Sequence, residues 1–339
     1  MNSSILEIEV KRMKKLVAWV LFFVLIFGCI RFITWITDQD ETRELIASIQ
    51  EKVDQKTADL KTEKEKPVKE IDVKDTQSAV KATFYNEYAQ KWTMTHRDYE
   101  NFTLEMPNHQ GGYIAGHGRK LFDMTIGKDD YKSVAKKYGK PLDYIQKGMT
   151  QYGFNEKDEK EMLWYSIDGY FVTFFFDNHQ KDQLRAIQYI QNDVEMKKDG
   201  YYGQPSEKLK VSFEKMMVEL MNQSRVEHGL KPFKYDAGLT AQARAHSEDM
   251  VKNKYFSHTG SDGSTVDTRM KAAGYKYEQY YAENLAFGQY SSIFAHEGLM
   301  NSLGHRENIL NKNLQVAGVG VAFDSERRPY YTINFYTSF

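Results

Sequence analysis

Three motifs decide the fold of the C-terminal part of this chain: YFSH at residues 255–258, AENLA at 282–286 and NSLGHRENIL at 301–310. They place His258, Glu283 and His305 in distinctive local contexts that lie far apart in the sequence. Such a distribution predicts one site assembled from several elements. Two neutral imidazoles and one carboxylate can bind zinc with an open fourth position that activates water. They can equally hold a substrate or act as acid and base, so the spacing leaves the chemistry open.

Standard catalytic signatures do not occur in the sequence. His296-Glu297 resembles the start of a zincin motif, but Met300 stands where the second histidine should fall. There is no G-x-S-x-G motif, and the single cysteine, Cys29, lies in an apolar run near the N-terminus. A Ser302–His305 pair is conceivable, although serine and histidine three residues apart are common by chance.

The elements before the site motifs follow a helical pattern. We predict a helix over 207–227, whose methionines belong to the core, and a second helix capped by Asp236. His246 falls on the apolar face of that second helix, so we predict a packed core histidine. A short helix over 270–275, closed by Gly274, follows the loop that carries His258.

The elements around the last motif are predicted as follows. A helix begins at Ser291 or Ser292 and ends at Gly304, and a β-hairpin joins 316–323 to 330–335. Four tyrosines cluster between the helices, and they either line a groove or form an aromatic loop: Tyr275, Tyr277, Tyr280 and Tyr281.

Length and charge narrow the class of protein. A chain of 339 residues is too long for one ordinary core, so two folded domains are expected. The net charge of −1 gives no global field for nucleic acid or an anionic membrane, and we predict no nucleic-acid partner. Aromatic residues make up 14% of the chain, which indicates packed domains. One cysteine allows no intrachain disulfide bond.

The N-terminal region predicts a membrane anchor. Residues 1–15 are basic, and 16–36 are apolar apart from Arg31, long enough for a helix of about 31 Å. The basic flank places residues 1–15 in the cytosol and the rest of the chain outside, as a single-pass membrane protein. A cleaved signal peptide or a lipoprotein is the alternative. Residues 37–80 form a charged, partly helical spacer.

The segment 81–195 is predicted to be a smaller α/β domain with a weak internal repeat. In each copy a tryptophan precedes an aromatic run and the tripeptide Asn-His-Gln, at 108–110 and again at 178–180. A strand pattern enters this polar turn and another should follow it. His109 and His179 are therefore interpreted as turn residues. Between the copies, 126–141 predicts a helix that is closed by Gly139.

Several motifs after residue 206 resemble, in order, those of the CAP superfamily. This superfamily comprises cysteine-rich secretory, antigen 5 and pathogenesis-related proteins, and the bacterial branch is the closer match. Besides the three motifs above, the likeness rests on LMNQSR at 220–225, GLKP at 229–232, AHSEDM at 245–250 and GVGV at 318–321. The segment before it resembles, more loosely, the CAP-associated N-terminal domain.

The resemblance implies an α-β-α sandwich over 206–339, within an α+β chain, and a cleft lined by two histidines and two glutamates. By motif, His258 and His305 match the two histidines and Glu283 the first glutamate. Ser302 stands at the position of the second glutamate, as is usual in the bacterial branch, which removes one negative charge. Family functions include lipid or sterol binding, proposed proteolysis and signalling, so fold alone does not choose among them.

Three functions follow from these observations. The first is a membrane-anchored binding module whose cleft holds a peptide, a lipid or a cell-wall fragment through His258, Glu283, Ser302 and His305. The second is a metal-assisted hydrolase of peptide or wall material, in which His258 and His305 bind a divalent metal such as zinc. The third is a structural or regulatory surface protein.

Overall fold

The computed structural model describes residues 79–154, 161–275 and 280–337. Within these ranges the strands, β1 to β15 in chain order, are Ala79–Tyr85, Lys91–Arg97, Glu100–Glu105, Gly111–Ala115, Lys120–Leu121, Met124–Thr125, Tyr144–Lys147, Thr150–Gly153, Met162–Ile167, Tyr170–Asp177, Gln183–Gln191, Lys234–Tyr235, Tyr281–Phe287, Val316–Phe323 and Pro329–Tyr336. The α-helices of the same ranges, α1 to α7, are Tyr131–Tyr138, Asn192–Lys197, Glu207–Glu227, Ala237–Asn253, Val266–Ala272, Ser292–Asn301 and Leu303–Ile309.

The N-terminal domain is built on a seven-stranded sheet in the order β1-β2-β3-β4-β11-β10-β9. Every described strand pair of this sheet is antiparallel. The predicted α/β class is therefore corrected to an antiparallel α+β domain. The reason is that β2 and β3, like β9 and β10, are joined by short turns, which permit only antiparallel neighbours.

The internal repeat is confirmed as a structural repeat. Each copy is a hairpin, a short 3₁₀ turn and a third strand: β2, β3, Pro107–His109 and β4 in the first, and β9, β10, Asn178–Gln180 and β11 in the second. The third strands pair with each other at the centre of the sheet, with Ile114 opposite Ile187. His109 and His179 lie in the two turns, as predicted.

The helix between the two copies is shorter than its predicted span. Helix α1 begins after Asp130, whose carboxylate accepts from the backbone N–H of Ser133 in a capping box. Gly127, with a φ of 77°, keeps the preceding residues in a turn. The predicted stop at Gly139 is confirmed, with a φ of 73°.

The C-terminal domain is a sandwich around the sheet β12-β14-β15-β13. The three layers can be followed along strand β14, whose residues alternate between the two faces of the sheet and therefore contact a different helix on each face. A Cβ at Gly318 or Gly320 would lie within 2.4 Å of the α4 backbone, so α4 packs directly on the glycine face. Val319 and Val321 point to the other face and share a core with Phe213 of α3. The α-β-α sandwich is therefore present.

One buried carboxylate closes the open edge of β14. Glu214 of α3 accepts from the backbone N–H of Val321 at 3.1 Å. Its two oxygens also accept from Arg244 of α4, at 2.7 and 2.6 Å. The side chain thereby joins the two helical layers and covers an edge that would otherwise present an unpaired donor.

Most helix boundaries agree with the prediction. Helix α3 spans the predicted residues, Asp236 caps α4, and the predicted hairpin is β14–β15. The short helix begins earlier than predicted, at Val266, because Thr265 and Thr268 form a capping box. Ser291 precedes α6, but its hydroxyl makes no capping hydrogen bond.

The predicted helix end at Gly304 is wrong. Helix α6 already ends at Asn301, because Ser302 adopts an extended conformation with φ −86° and ψ 115°. Gly304 lies inside the next helix, α7. The chain thus makes a sharp turn at Ser302, which separates two helices and places Ser302 and His305 beside each other.

The two domains share one core. The face of the N-terminal sheet opposite α1 contributes Trp92, Phe102 and Phe175 to the hydrophobic cluster that contains the α3 and α6 side chains. The rings of Phe175 and Phe294 meet edge to face at 5.1 Å. Residues 68–339 form one compact unit.

The predicted anchor over 16–36 and the spacer over 37–80 fall outside the described residues, apart from the start of β1. Within residues 79–337 as described, no helix has the length and apolar character needed to cross a membrane.

Candidate functional site

The first half of the site is a triad of His258, Glu283 and Arg269, centred on the carboxylate of Glu283. Strand β13 carries Glu283, whose carboxylate is buried with 1% of the side chain exposed. His258 lies on the loop after α4, and its Nδ1 is 2.9 Å from Glu283 Oε1. The other oxygen, Oε2, accepts from Arg269 Nη2 at 2.7 Å. A buried carboxylate is costly unless it is paired, and here each oxygen has its own cationic or imidazole partner.

Arg269 is a site residue that the sequence analysis missed. It lies on α5, and its Nη1 also donates to the backbone carbonyls of His258 and Ser264, each at 3.1 Å. The guanidinium thus fixes both the carboxylate and the loop that holds His258. The one signal in the sequence was the apolar setting of Glu283, since a buried carboxylate requires a partner. No local pattern identified Arg269 as that partner.

The second half of the site is the Ser302–His305 pair. Ser302 occupies the turn between α6 and α7, and its Oγ is 2.8 Å from His305 Nδ1. Burial lowers the pKa of His305 below its usual value, and the charge of His258 lowers this pKa further. His305 is therefore neutral at pH 7.

Two asparagines connect the halves. Asn284 follows Glu283 on β13, is completely buried and donates to the backbone carbonyl of His305 at 2.9 Å. Asn308 of α7 donates to Asn284 Oδ1 at 2.8 Å. Because adjacent residues on a strand point to opposite sides, Glu283 holds the His258 loop while Asn284 holds α7.

Exposed apolar side chains flank the polar residues in sequence. Phe256 precedes His258 by two residues and is 47% exposed, and Leu303 follows Ser302 and is 59% exposed. The Phe256 ring contacts those of Phe287 and Tyr330, with centroids 5.7 and 6.4 Å away. Exposed apolar surface thus lies next to His258 and Ser302 along the chain.

A three-ligand metal centre is not formed by the described residues. No group of three or more histidine, cysteine, aspartate or glutamate side chains in these ranges is placed to hold a metal ion. Glu283, the expected third ligand, already has a partner at each oxygen, His258 at one and Arg269 at the other. Only the two imidazoles of His258 and His305 are left as candidate ligands.

Three other residues considered from the sequence have structural partners of their own. His246 is buried in α4, and its Nε2 contacts the backbone carbonyl of Ser257 at 3.0 Å, so the predicted core role is confirmed. Tyr275 donates to Asp236 at 2.5 Å and Tyr281 to Asp267 at 2.9 Å, so both support helix ends. Tyr277 falls outside the described residues.

Comparison with known families agrees with the two-domain fold. Residues 218–335 match the cysteine-rich secretory protein family, abbreviated CAP. Residues 68–201 match the CAP-associated N-terminal family. The chain carries a CAP domain behind a CAP-associated N-terminal domain. In this CAP domain, Ser302 stands where the resemblance places a second glutamate, so a neutral hydroxyl replaces a carboxylate beside His305.

Two solved bacterial structures share the fold of the whole described unit. One is an extracellular protein containing an SCP domain from Bacillus anthracis str. Ames, with a TM-score of 0.66 and 22% identity, covering 81% of this chain and 99% of that one. The other is a cysteine-rich secretory protein from Staphylococcus aureus subsp. aureus Mu50, with a TM-score of 0.59 and 15% identity, covering 77% and 86%. At these identities the likeness shows the fold alone.

Two relatives from Bacillus subtilis (strain 168) match part of the chain. The uncharacterized membrane protein YlbC is 37% identical over 128 residues, which is 38% of this chain and 35% of that protein. The uncharacterized protein YkwD is 41% identical over 109 residues, or 32% and 42% of the two lengths. Each match thus spans less than half of the relative.

Proposed function

We propose that this protein is a membrane-anchored, extracytoplasmic CAP protein that binds a peptide, lipid or cell-wall fragment in the cleft formed by His258, Glu283, Ser302 and His305. The anchor is the apolar segment 16–36. Support for this location comes from two similar proteins, one described as a membrane protein of B. subtilis and the other as an extracellular protein of B. anthracis.

The pairing of Glu283 is the observation that favours binding over hydrolysis with Glu283 as the base or as a metal ligand. A general base must be free to take a proton from water, and a metal ligand must offer an oxygen to the ion. Both oxygens of Glu283 are instead held by His258 and Arg269, with 1% of the side chain exposed. The carboxylate therefore acts as a fixed anchor that orients His258 toward the cleft.

The remaining cleft groups suit an uncharged polar ligand with apolar parts. His258 is 57% exposed, and Ser302 and neutral His305 offer both a donor and an acceptor. Phe256 and Leu303 add exposed apolar surface. Amide groups of a peptide, hydroxyl and amide groups of a wall fragment, or the head and chain of a lipid meet these requirements.

The direct test is mass spectrometry of small molecules that copurify with the full chain from bacterial envelopes. We expect one class of ligand to be retained unchanged by the wild type and by His109→Ala, a control at an exposed histidine of the other domain. His258→Ala and Ser302→Ala should each reduce retention at least about tenfold, the loss of roughly 1.4 kcal/mol. Equal retention by all four proteins would refute the proposed cleft.

Turnover and metal dependence are separate outcomes of the same preparations. Conversion of the retained molecule into products by purified wild type would replace the binding function with hydrolysis. Zinc that raises the melting temperature of the wild type, but not of His305→Ala, would establish the metal-assisted alternative.

A further inference from the structure

The turn that carries Ser302 and His305 is held at both ends by the N-terminal domain. Asn301, the residue before Ser302, donates from Nδ2 to the backbone carbonyl of Phe176 at 2.9 Å. Its Oδ1 accepts from the backbone N–H of Asn178 at 3.0 Å. Its backbone carbonyl lies 2.8 Å from His179 Nε2. The side-chain amide thus pairs with the N-terminal domain as a neighbouring strand would.

The other end is held by a buried ion pair. Arg306, the residue after His305, donates from Nη2 to Asp177 Oδ2 at 2.9 Å. Arg306 and Asp177 are 8% and 6% exposed. The second oxygen of Asp177 accepts from the backbone N–H of His179, so the carboxylate is fixed within its own turn. Arg306 Nη1 also donates to the carbonyl of Met300 at 3.1 Å.

Helix α6 is also held by buried contacts one turn before Asn301. Glu297 of α6 accepts from Arg185 Nε at 2.7 Å and from the Tyr113 hydroxyl at 2.7 Å. Arg185 and Tyr113 belong to the central strands β11 and β4 of the N-terminal sheet. Helix α6 therefore cannot shift along its axis without breaking buried hydrogen bonds to the other domain.

We propose that the N-terminal domain is a positioning element of the cleft, acting through Asp177 and His179 on the turn 301–306. The short turn at 177–180 contacts Asn301 and Arg306, the two residues that flank the Ser302–His305 pair. A movement of that turn therefore displaces both flanking residues together. The Glu283 half of the cleft has no such contact among the described residues, because its partners His258 and Arg269 lie in the CAP domain. This makes Asp177 and His179 positioning residues for one half of the site.

The proposal rests on the cleft of the proposed function, and it adds a consequence for regulation. A partner that binds the N-terminal domain and moves the turn at 177–180 changes the affinity of the cleft, and a cleft ligand changes the affinity for that partner by the same factor. The domain is then a control element of the cleft.

The test is hydrogen exchange of backbone amides in the full chain, which needs no ligand. In Asp177→Ala we expect exchange at 302–306 to accelerate at least about tenfold, while strand β13 keeps its wild-type rates. His179→Ala should give a smaller acceleration at the same residues, and Asp177→Asn should recover part of the protection because it keeps a hydrogen-bond acceptor.

Tyr99→Phe is the matched control. It removes a different contact between the domains, in which the Tyr99 hydroxyl donates to Glu219 at 2.9 Å and accepts from Asn222 Nδ2 at 3.2 Å, both on α3. We expect it to leave exchange at 302–306 unchanged. If Asp177→Ala and His179→Ala match the control, or accelerate exchange equally throughout the CAP domain, the positioning role is wrong.

A binding readout separates this proposal from the proposed function. The molecule retained by the wild-type chain should be retained less by Asp177→Ala and normally by Tyr99→Phe. If no molecule is retained by any variant, the proposed function fails, while the exchange result still decides whether the N-terminal domain positions the turn.

Discussion

The two Asn-His-Gln turns of the N-terminal domain have the same place in the repeat and opposite surroundings. At the first turn, His109 Nδ1 lies 2.6 Å from Glu105 Oε1, and these side chains are 73% and 41% exposed. At the second turn, Asn178 and His179 hydrogen-bond to Asn301 of the CAP domain. Local sequence therefore determines the conformation of the turn, whereas contact with the neighbouring domain determines whether the turn contributes to the domain interface.

The strands that follow the two turns also differ in what they contribute to the contact between the domains. Tyr113 on β4 and Arg185 on β11 come from equivalent strands, and both reach the carboxylate of Glu297. The first copy supplies a neutral hydroxyl and the second a guanidinium. Both bonds go to the same carboxylate, but only the guanidinium adds an attraction between opposite charges. The second copy therefore supplies the charged partner of the domain contact.

The largest expected effect comes from removing the charged partner of Glu297. Arg185→Met leaves a buried carboxylate with no cation and should lower the free energy of unfolding by about 3–5 kcal/mol. Tyr113→Phe should cost about 1–3 kcal/mol, because one hydrogen bond is lost and the ion pair stays. Urea unfolding of residues 68–339 measures both values.

Arg327→Met is the control for this comparison. It removes an ion pair to Asp199 whose side chains are 37% and 75% exposed, and it should cost less than about 1 kcal/mol. An Arg185→Met variant as stable as Arg327→Met would show that the buried pair does not hold the domains together.

The next largest effect is a pH dependence of folding stability, which comes from Glu87 next to the first copy of the repeat. Glu87, before β2, is buried, and neither of its carboxylate oxygens has a hydrogen-bond partner among the described residues. Burial raises its pKa from the usual 4.5 to about 7. Between these values the unfolded chain has lost the proton that the folded chain keeps, so stability falls as pH rises through this window.

The measurement is the free energy of unfolding of residues 68–339 at pH values from 4.5 to 8. Wild type should lose roughly 3 kcal/mol more than Glu87→Gln across the window, since one pKa unit corresponds to about 1.4 kcal/mol. The contribution is complete below pH 4.5 and absent above about 7. Identical pH profiles for the two proteins would exclude this role of Glu87.

The smallest effect compares the two turn histidines directly. His179→Ala removes the contact to the carbonyl of Asn301 and should cost about 1 kcal/mol. His109→Ala removes an exposed contact to Glu105 and should change stability by no more than about 0.5 kcal/mol. Thermal unfolding of both variants measures the difference, and equal values would mean that the second turn contributes nothing beyond the first.

Much of the fold could be predicted because its signals are local. Helix α3 begins after Ser206, which accepts from the backbone N–H of Leu209, and α4 begins after its cap Asp236. The glycines at 318 and 320 lie where α4 touches the sheet, a close approach that only glycine permits. The prediction failed at Gly304, because the end of α6 depends on contacts to a domain more than a hundred residues earlier.

The site could be predicted only in part. The motifs placed His258, Glu283, Ser302 and His305 together, and the structure pairs them as His258–Glu283 and Ser302–His305. Arg269 was missed because a salt bridge to a strand 14 residues away leaves no local pattern. The ion pair of Asp177 was missed for the same reason, since its partner Arg306 lies 129 residues away.

Native-state hydrogen exchange of the wild-type protein tests most directly whether the second turn and the cleft turn act as one unit. The amides to compare are Asn178 and Arg306, with Gln110 of the first turn as the reference. We predict that Asn178 and Arg306 open with the same free energy and the same denaturant dependence, while Gln110 opens at a lower free energy. If Asn178 opens as readily as Gln110 while Arg306 stays protected, the second turn does not hold the cleft.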